Sequence, residues 1–141
     1  MFPIRDEIQP KTTPIVTYAI LVITTVVLLI EFATPNLEQF FFDWALIPSQ
    51  VDFSQINTLL PFVTSIFLHG GLFHFLSNMW FLYIFGDNVE DDLGHIKYLL
   101  FYLSGGVVAG VIQYLFIPNE SIPMLGASGA IAAVLGYYFL K

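Results

Sequence analysis

Apolar positions along the chain gather into four long runs. Residues 15–30 carry no charge, and the stretch 14–33 has about the 20 residues that a helix needs to cross a bilayer core. Residues 72–85 are apolar except for His74, Ser77 and Asn78, and the apolar stretch 62–68 just ahead extends that run. Residues 98–117 form a third run of membrane length, and 124–140 a fourth. The first is too long for the core of a signal peptide and has no small-residue cleavage site, so it reads as a retained helix. The pattern predicts transmembrane helices at about 14–33, 71–87, 98–117 and 126–140. A tail over 1–13 and an interfacial loop over 34–70 complete the layout.

Composition agrees with this layout. Of the 141 residues, 57% are hydrophobic and only 11% charged, against about 25% in a soluble domain. Too little charge is present to coat a water-facing surface. The net charge of −7 argues against nucleic acid as a partner. Cysteine is absent, so disulfides and thiolate metal sites are excluded.

The four basic residues, Arg5, Lys11, Lys97 and Lys141, give one orientation. Two precede the first run, one lies between the second and third, and one follows the fourth. By the positive-inside rule the N-terminus is cytoplasmic, and the first and third loops are external. His74 and Asn78 then lie in the outer half of the second helix, and Ser128 near the outer end of the fourth. Polar side chains at membrane depth face a cavity or the bundle interior. The first loop holds Phe40, Phe41, Phe42, Trp44 and Phe53, with Asp43 and Asp52 between them. That mixture suits either an interfacial segment or a folded loop packed on helix ends.

Three features carry candidate chemistry. Gly126-Ala127-Ser128-Gly129 opens an apolar helix, where unpaired N–H groups and the helix dipole favour an anion. A serine there could be a nucleophile beside an oxyanion site, or simply an N-cap followed by small packing residues. His74 and Asn78, spaced i, i+4, share a helix face and both can donate hydrogen bonds. They suit a developing negative charge, or act as interhelical glue. His69, beside Gly70 and Gly71, reads as structural, and its spacing to His74 lacks the pattern of a zinc site. Small residues form stripes at Gly106 and Gly110, and at Gly129, Ala133 and Gly136, which would let the fourth helix approach its neighbours. Asp87, Glu90, Asp91 and Asp92 read as a solvated helix end, with Glu90 capping or pairing locally.

Together these residues resemble the rhomboid family of intramembrane serine proteases, from about residue 14 to 141. His69-Gly-Gly-Leu-Phe-His74 leading to Asn78, then Phe85-Gly-Asp-Asn-Val-Glu90-Asp-Asp-Leu-Gly94, is similar to the family's second-helix signature. Gly126-Ala-Ser128-Gly129-Ala130 is similar to its nucleophile motif. The resemblance implies an all-α, polytopic helix bundle, of which this chain supplies four of the usual six membrane helices. It implies Ser128 as nucleophile, with His74, Asn78 and the Ser128 backbone N–H as the oxyanion hole. Gly126 and Gly129 shape the active-site turn, and His69 and Glu90 serve structure. Substrates would be single-pass membrane proteins cut within or near the spanning helix, in a cell membrane, with no metal or organic cofactor.

The chain departs from the family pattern in places. The family's base histidine lies on its sixth helix, and none of the three histidines here matches it, so the base is expected beyond residue 141. The chain is read as the N-terminal portion of a longer protease and as inactive alone. A Trp-Arg pair of the first loop is not evident, and Ala132 stands where a tyrosine is common. Two other readings remain: a non-catalytic rhomboid-like protein that binds membrane clients, and a small transporter or channel component.

Overall fold

The computed structural model describes residues 11–141. Most of the tail expected over 1–13, including Arg5, lies outside the described residues. The chain is a helical membrane bundle. Helix α1 spans Ile15–Ala33, α2 Leu37–Trp44, α3 Ile56–Leu59, α4 Pro61–Thr64, α5 Leu72–Leu93, α6 His95–Phe116 and α7 Ser128–Leu140.

Helix α1 buries Thr17, Ile20, Thr24, Leu28 and Glu31, at three- and four-residue steps along one face. Its opposite face exposes Ile15, Val22, Val26 and Leu29, which are more apolar than the buried set. Water would penalise such a face, whereas lipid solvates it. The two faces therefore differ in polarity in the reverse sense to a soluble amphipathic helix: polar side chains turn inward. Helices α1 and α6 are each long and apolar enough to cross a membrane. Helix α7 is shorter, at 13 residues.

The apolar stretch 62–68 does not continue the second run. It forms α4 and a following 3-10 turn, and the chain then bends by 77° into α5. The bend falls at His69-Gly70-Gly71. Hydropathy registers both sides of such a break as one run because it counts apolar residues and is blind to direction.

Helix α5 runs past the apolar stretch through Asp87–Leu93 and passes to α6 through Gly94 alone. Gly94 has φ +78°, a left-handed conformation that glycine adopts without a Cβ penalty. Glu90, expected to cap or pair locally, pairs with His95 five residues on and also reaches across the chain to the start of α1. Its carboxylate accepts from Val16 N–H at 2.8 Å, Thr17 N–H at 2.7 Å and Thr17 Oγ1 at 2.7 Å. A buried carboxylate thus satisfies the orphan donors and positive dipole end of the first helix.

Helices α6 and α7 pack closely through small residues. A Cβ on Gly105 would lie 2.6 Å from Ala133 Cβ, and one on Gly129 would lie 2.4 Å from Ala109 Cβ. The Gly106/Gly110 stripe faces mainly elsewhere: Gly106 meets Ile66, with Ala130 of α7 further off at 3.5 Å, and Gly110 meets Leu46 and Phe62. The glycine pair therefore seats the first loop, and its neighbours Gly105 and Ala109 seat α7. At Gly136 an added Cβ would meet nothing within 4 Å.

The first loop is folded onto the helix ends, with Ala45, Leu46, Ile47 and Pro48 buried. It also exposes Phe42, Trp44 and Phe53. Leu46 and Met124 exchange both backbone hydrogen bonds, at 3.0 and 2.8 Å. Ser49 N–H donates to the Glu120 carbonyl at 3.0 Å. These bonds tie the first loop to the segment that leads into Ser128.

Candidate active site

Ser128 is the first residue of α7 and is exposed. Before it, Gly126 takes φ +119°, and its N–H donates to the Ser65 carbonyl at 2.8 Å. The turn is thereby pinned to the first loop on one side and the helix start on the other. The first backbone bond at this end of α7 runs from Ile131 N–H to the Ala127 carbonyl at 2.9 Å. Among the described residues the N–H groups of Ser128, Gly129 and Ala130 have no backbone acceptor, as expected of a helix start.

His74 sits in the first turn of α5 and is half-buried. Its imidazole lies against Gly126: a Cβ there would stand 2.5 Å from Cε1 and 2.8 Å from Nε2. Ser128, His74, Gly126 and Gly129 share a cavity of about 420 Å³, with Gln113 of α6 and Leu46 of the first loop also in its wall. So the structure brings the serine, one of the paired donors and both motif glycines to one place. Among the described residues Ser128 Oγ makes no hydrogen bond.

Asn78 is one turn further along α5, buried, and outside the cavity wall. Its Nδ2 lies 2.9 Å from His69 Nε2. His69 is 1% exposed. Desolvation, and then the neighbouring His74, lower its pKa to about 4. A neutral ring has one acceptor nitrogen, so Nε2 accepts from the Asn78 amide, which can only donate from Nδ2. The ring proton then rests on Nδ1, near the Phe67 carbonyl but outside hydrogen-bond geometry. The His69 ring also meets His74 edge-on at 5.1 Å between centroids and Phe75 at 5.6 Å. His69 therefore braces both donors from behind.

His95 begins α6, at the end remote from Ser128, and its Nδ1 lies 2.5 Å from Glu90 Oε1. At 1.5 Å per residue a helix of this length separates its ends by about 30 Å. His95 thus belongs with Glu90 at the foot of α1. Among the described residues no three histidine, aspartate or glutamate side chains gather as metal ligands do.

Two contributors were not singled out from the sequence. Glu31, at the end of α1, is 2% exposed, and its Oε1 accepts from His69 N–H at 2.8 Å. Its signal was present: it is the lone carboxylate of α1 and continues the buried line of Thr17 and Thr24 at seven-residue intervals. Ser65 acts through its backbone carbonyl, for which the sequence has no signal.

Residues 57–141 match the Rhomboid domain family. The chain belongs to the rhomboid family. Over 70 residues it is 43% identical to Rhomboid-like protein 11, chloroplastic, of Arabidopsis thaliana, covering 50% of this chain and 25% of that protein. Over 77 residues it is 38% identical to the human Presenilin-associated rhomboid-like protein, mitochondrial, covering 53% and 20%. Over 82 residues it is 36% identical to RHOMBOID-like protein 6, mitochondrial, of Arabidopsis thaliana, covering 58% and 26%. The chain spans about a quarter or less of the length of these rhomboid relatives. Both candidate motifs, at 69–78 and 126–129, fall within the matched rhomboid region.

Proposed function

We propose that this chain carries the nucleophile and oxyanion donors of an intramembrane serine endopeptidase acting on single-pass membrane proteins. The observation that carries the reading is the cavity shared by Ser128 and His74 at the start of α7, where backbone N–H groups are free.

Ser128 Oγ attacks the scissile carbonyl of a substrate segment that has left its helix. Negative charge then develops on the carbonyl oxygen. The Ser128 N–H and the His74 side chain supply hydrogen bonds to it, aided by the positive end of the α7 dipole. Asn78 has two N–H groups on Nδ2. One engages His69, and the other completes the oxyanion hole in this reading by turning from behind the cavity wall as substrate binds. A serine hydroxyl is a poor nucleophile until a base accepts its proton. That base is a histidine outside residues 1–141, as the rhomboid pattern implies. In this reading the N-terminus and the Gly94 turn face the cytoplasm, the site opens to the outer side, and the host is a cell membrane.

A fluorophosphonate probe tests the reading on the full-length protein in detergent or liposomes. Wild type should be labelled and Ser128→Ala should not. The competing reading is a non-catalytic rhomboid-like protein that binds membrane clients. It predicts no labelling of either protein, and that outcome would replace the protease assignment.

A further inference from the structure

We infer that Glu31 is a positioning residue for the Ser128 site, acting through His69 on Asn78 and His74. The inference rests on the protease reading for its catalytic consequence, but the relay itself is a matter of geometry.

A carboxylate inside an apolar bundle is costly unless hydrogen bonds replace its water. Glu31 is the only charged residue of α1, and it is buried. Its hydrogen bond among the described residues is to the backbone N–H of His69, 38 positions along the chain. That N–H lies at the apex of the 77° bend between the first loop and α5. A bend of this kind breaks the helical ladder and leaves backbone donors to be satisfied. An acceptor on α1 fixes one of them, and with it the place of the His69 ring.

From the ring, two contacts lead toward the cavity. The His69 Nε2 holds the Asn78 Nδ2 at 2.9 Å, which sets the orientation of an amide that could otherwise flip. The ring edge also meets His74, whose imidazole stands against Gly126. Both oxyanion donors are thus oriented by one buried imidazole, and that imidazole by one buried carboxylate. No residue of α1 reaches the cavity wall, so this relay is how the first helix acts on the site. The need is for an acceptor of the right reach, not for a negative charge as such. Glutamine offers the same acceptor.

Two readouts on full-length protein test the relay. The first is ¹⁵N NMR of selectively labelled histidine and asparagine, following the His69 ring nitrogens and the Asn78 Nδ2. Glu31→Ala should shift both, and Glu31→Gln should restore them. The second is the rate of fluorophosphonate labelling of Ser128. It should fall about tenfold to a hundredfold in Glu31→Ala, the cost of misplacing groups by an ångström or less, and recover in Glu31→Gln. Unchanged resonances in a folded Glu31→Ala protein would overturn the relay, whatever the labelling. Shifted resonances with an unchanged labelling rate would refute the positioning role. If wild type is not labelled while the resonances respond as described, the relay stands and the protease reading falls.

Discussion

The imidazole of His74 occupies the space that a side chain at position 126 would need. A Cβ on Gly126 would stand 2.5 Å from His74 Cε1, and the backbone there has φ +119°. Two independent constraints thus select glycine, one steric and one conformational. They also couple the nucleophile turn to the donor on α5. Gly126→Ala should push the His74 ring away and strain the turn, destabilising the protein by about 1–3 kcal/mol. Fluorophosphonate labelling should drop about a hundredfold in the fraction that folds. Labelling at the wild-type rate would show that the contact between these two residues does not govern the site.

The foot of α1 makes a separate prediction. Glu90 accepts three hydrogen bonds from Val16 and Thr17, while His95 approaches the same carboxylate from a ring that is 44% exposed. Removing the carboxylate orphans buried donors at a helix start. Glu90→Ala should cost about 2–4 kcal/mol in denaturant titration, whereas His95→Ala should cost under about 1 kcal/mol. Equal losses from the two variants would mean that the ion pair, not the helix cap, holds this corner together.

These relationships mark how far the sequence could be read. Membrane class and helical fold follow from run length and from the shortage of charge, both of which any linear scan detects. Family membership was legible in the His69–Asn78 and Gly126–Gly129 motifs. Depth counting placed His74, Asn78 and Ser128 together; the structure gathers His74 and Ser128 at one cavity and sets Asn78 behind it, against His69. What stayed hidden depends on direction or on distant partners. The stretch 62–68 looked continuous with 72–85 because hydropathy is blind to a 77° bend. The local partner of Glu90, His95, was within reach of a sequence reading, but nothing in its neighbourhood points to Thr17, 73 positions away. Gly106 and Gly110 had the spacing of a helix contact, but which neighbour they face is set by the rotation of α6.

That rotation can be checked by a matched pair of substitutions. Gly105 and Gly136 are both helical glycines, and alanine raises intrinsic helix propensity at each by about 1 kcal/mol. At Gly105 the new Cβ would stand 2.6 Å from Ala133 Cβ, whereas at Gly136 it would meet nothing within 4 Å. Gly105→Ala should therefore destabilise by about 1–3 kcal/mol through overpacking of α6 on α7. Gly136→Ala should be neutral or stabilising by up to about 1 kcal/mol. The reverse ranking in unfolding titrations would place the α6–α7 contact on a different face.

The burial of His69 sets a pH dependence of stability. Its ordinary pKa of 6.5 falls to about 4 in the folded protein, chiefly through desolvation, with His74 adding to the effect. Above pH 6.5 the ring is neutral in both folded and unfolded states, and its contribution is fully present. Between pH 6.5 and 4 the unfolded chain takes up a proton that the folded chain refuses, so stability falls as the pH is lowered. The loss saturates near pH 4 at up to about 3 kcal/mol, because each tenfold drop in proton affinity on folding corresponds to about 1.4 kcal/mol. Protonation would also remove the acceptor that holds the Asn78 amide, so probe labelling should decline over the lower part of the same window. His69→Phe keeps a ring in the pocket and cannot titrate. Unfolding titrations at several pH values should show a slope in wild type that is absent in His69→Phe. A slope that persists in the variant would assign the acid sensitivity to other groups.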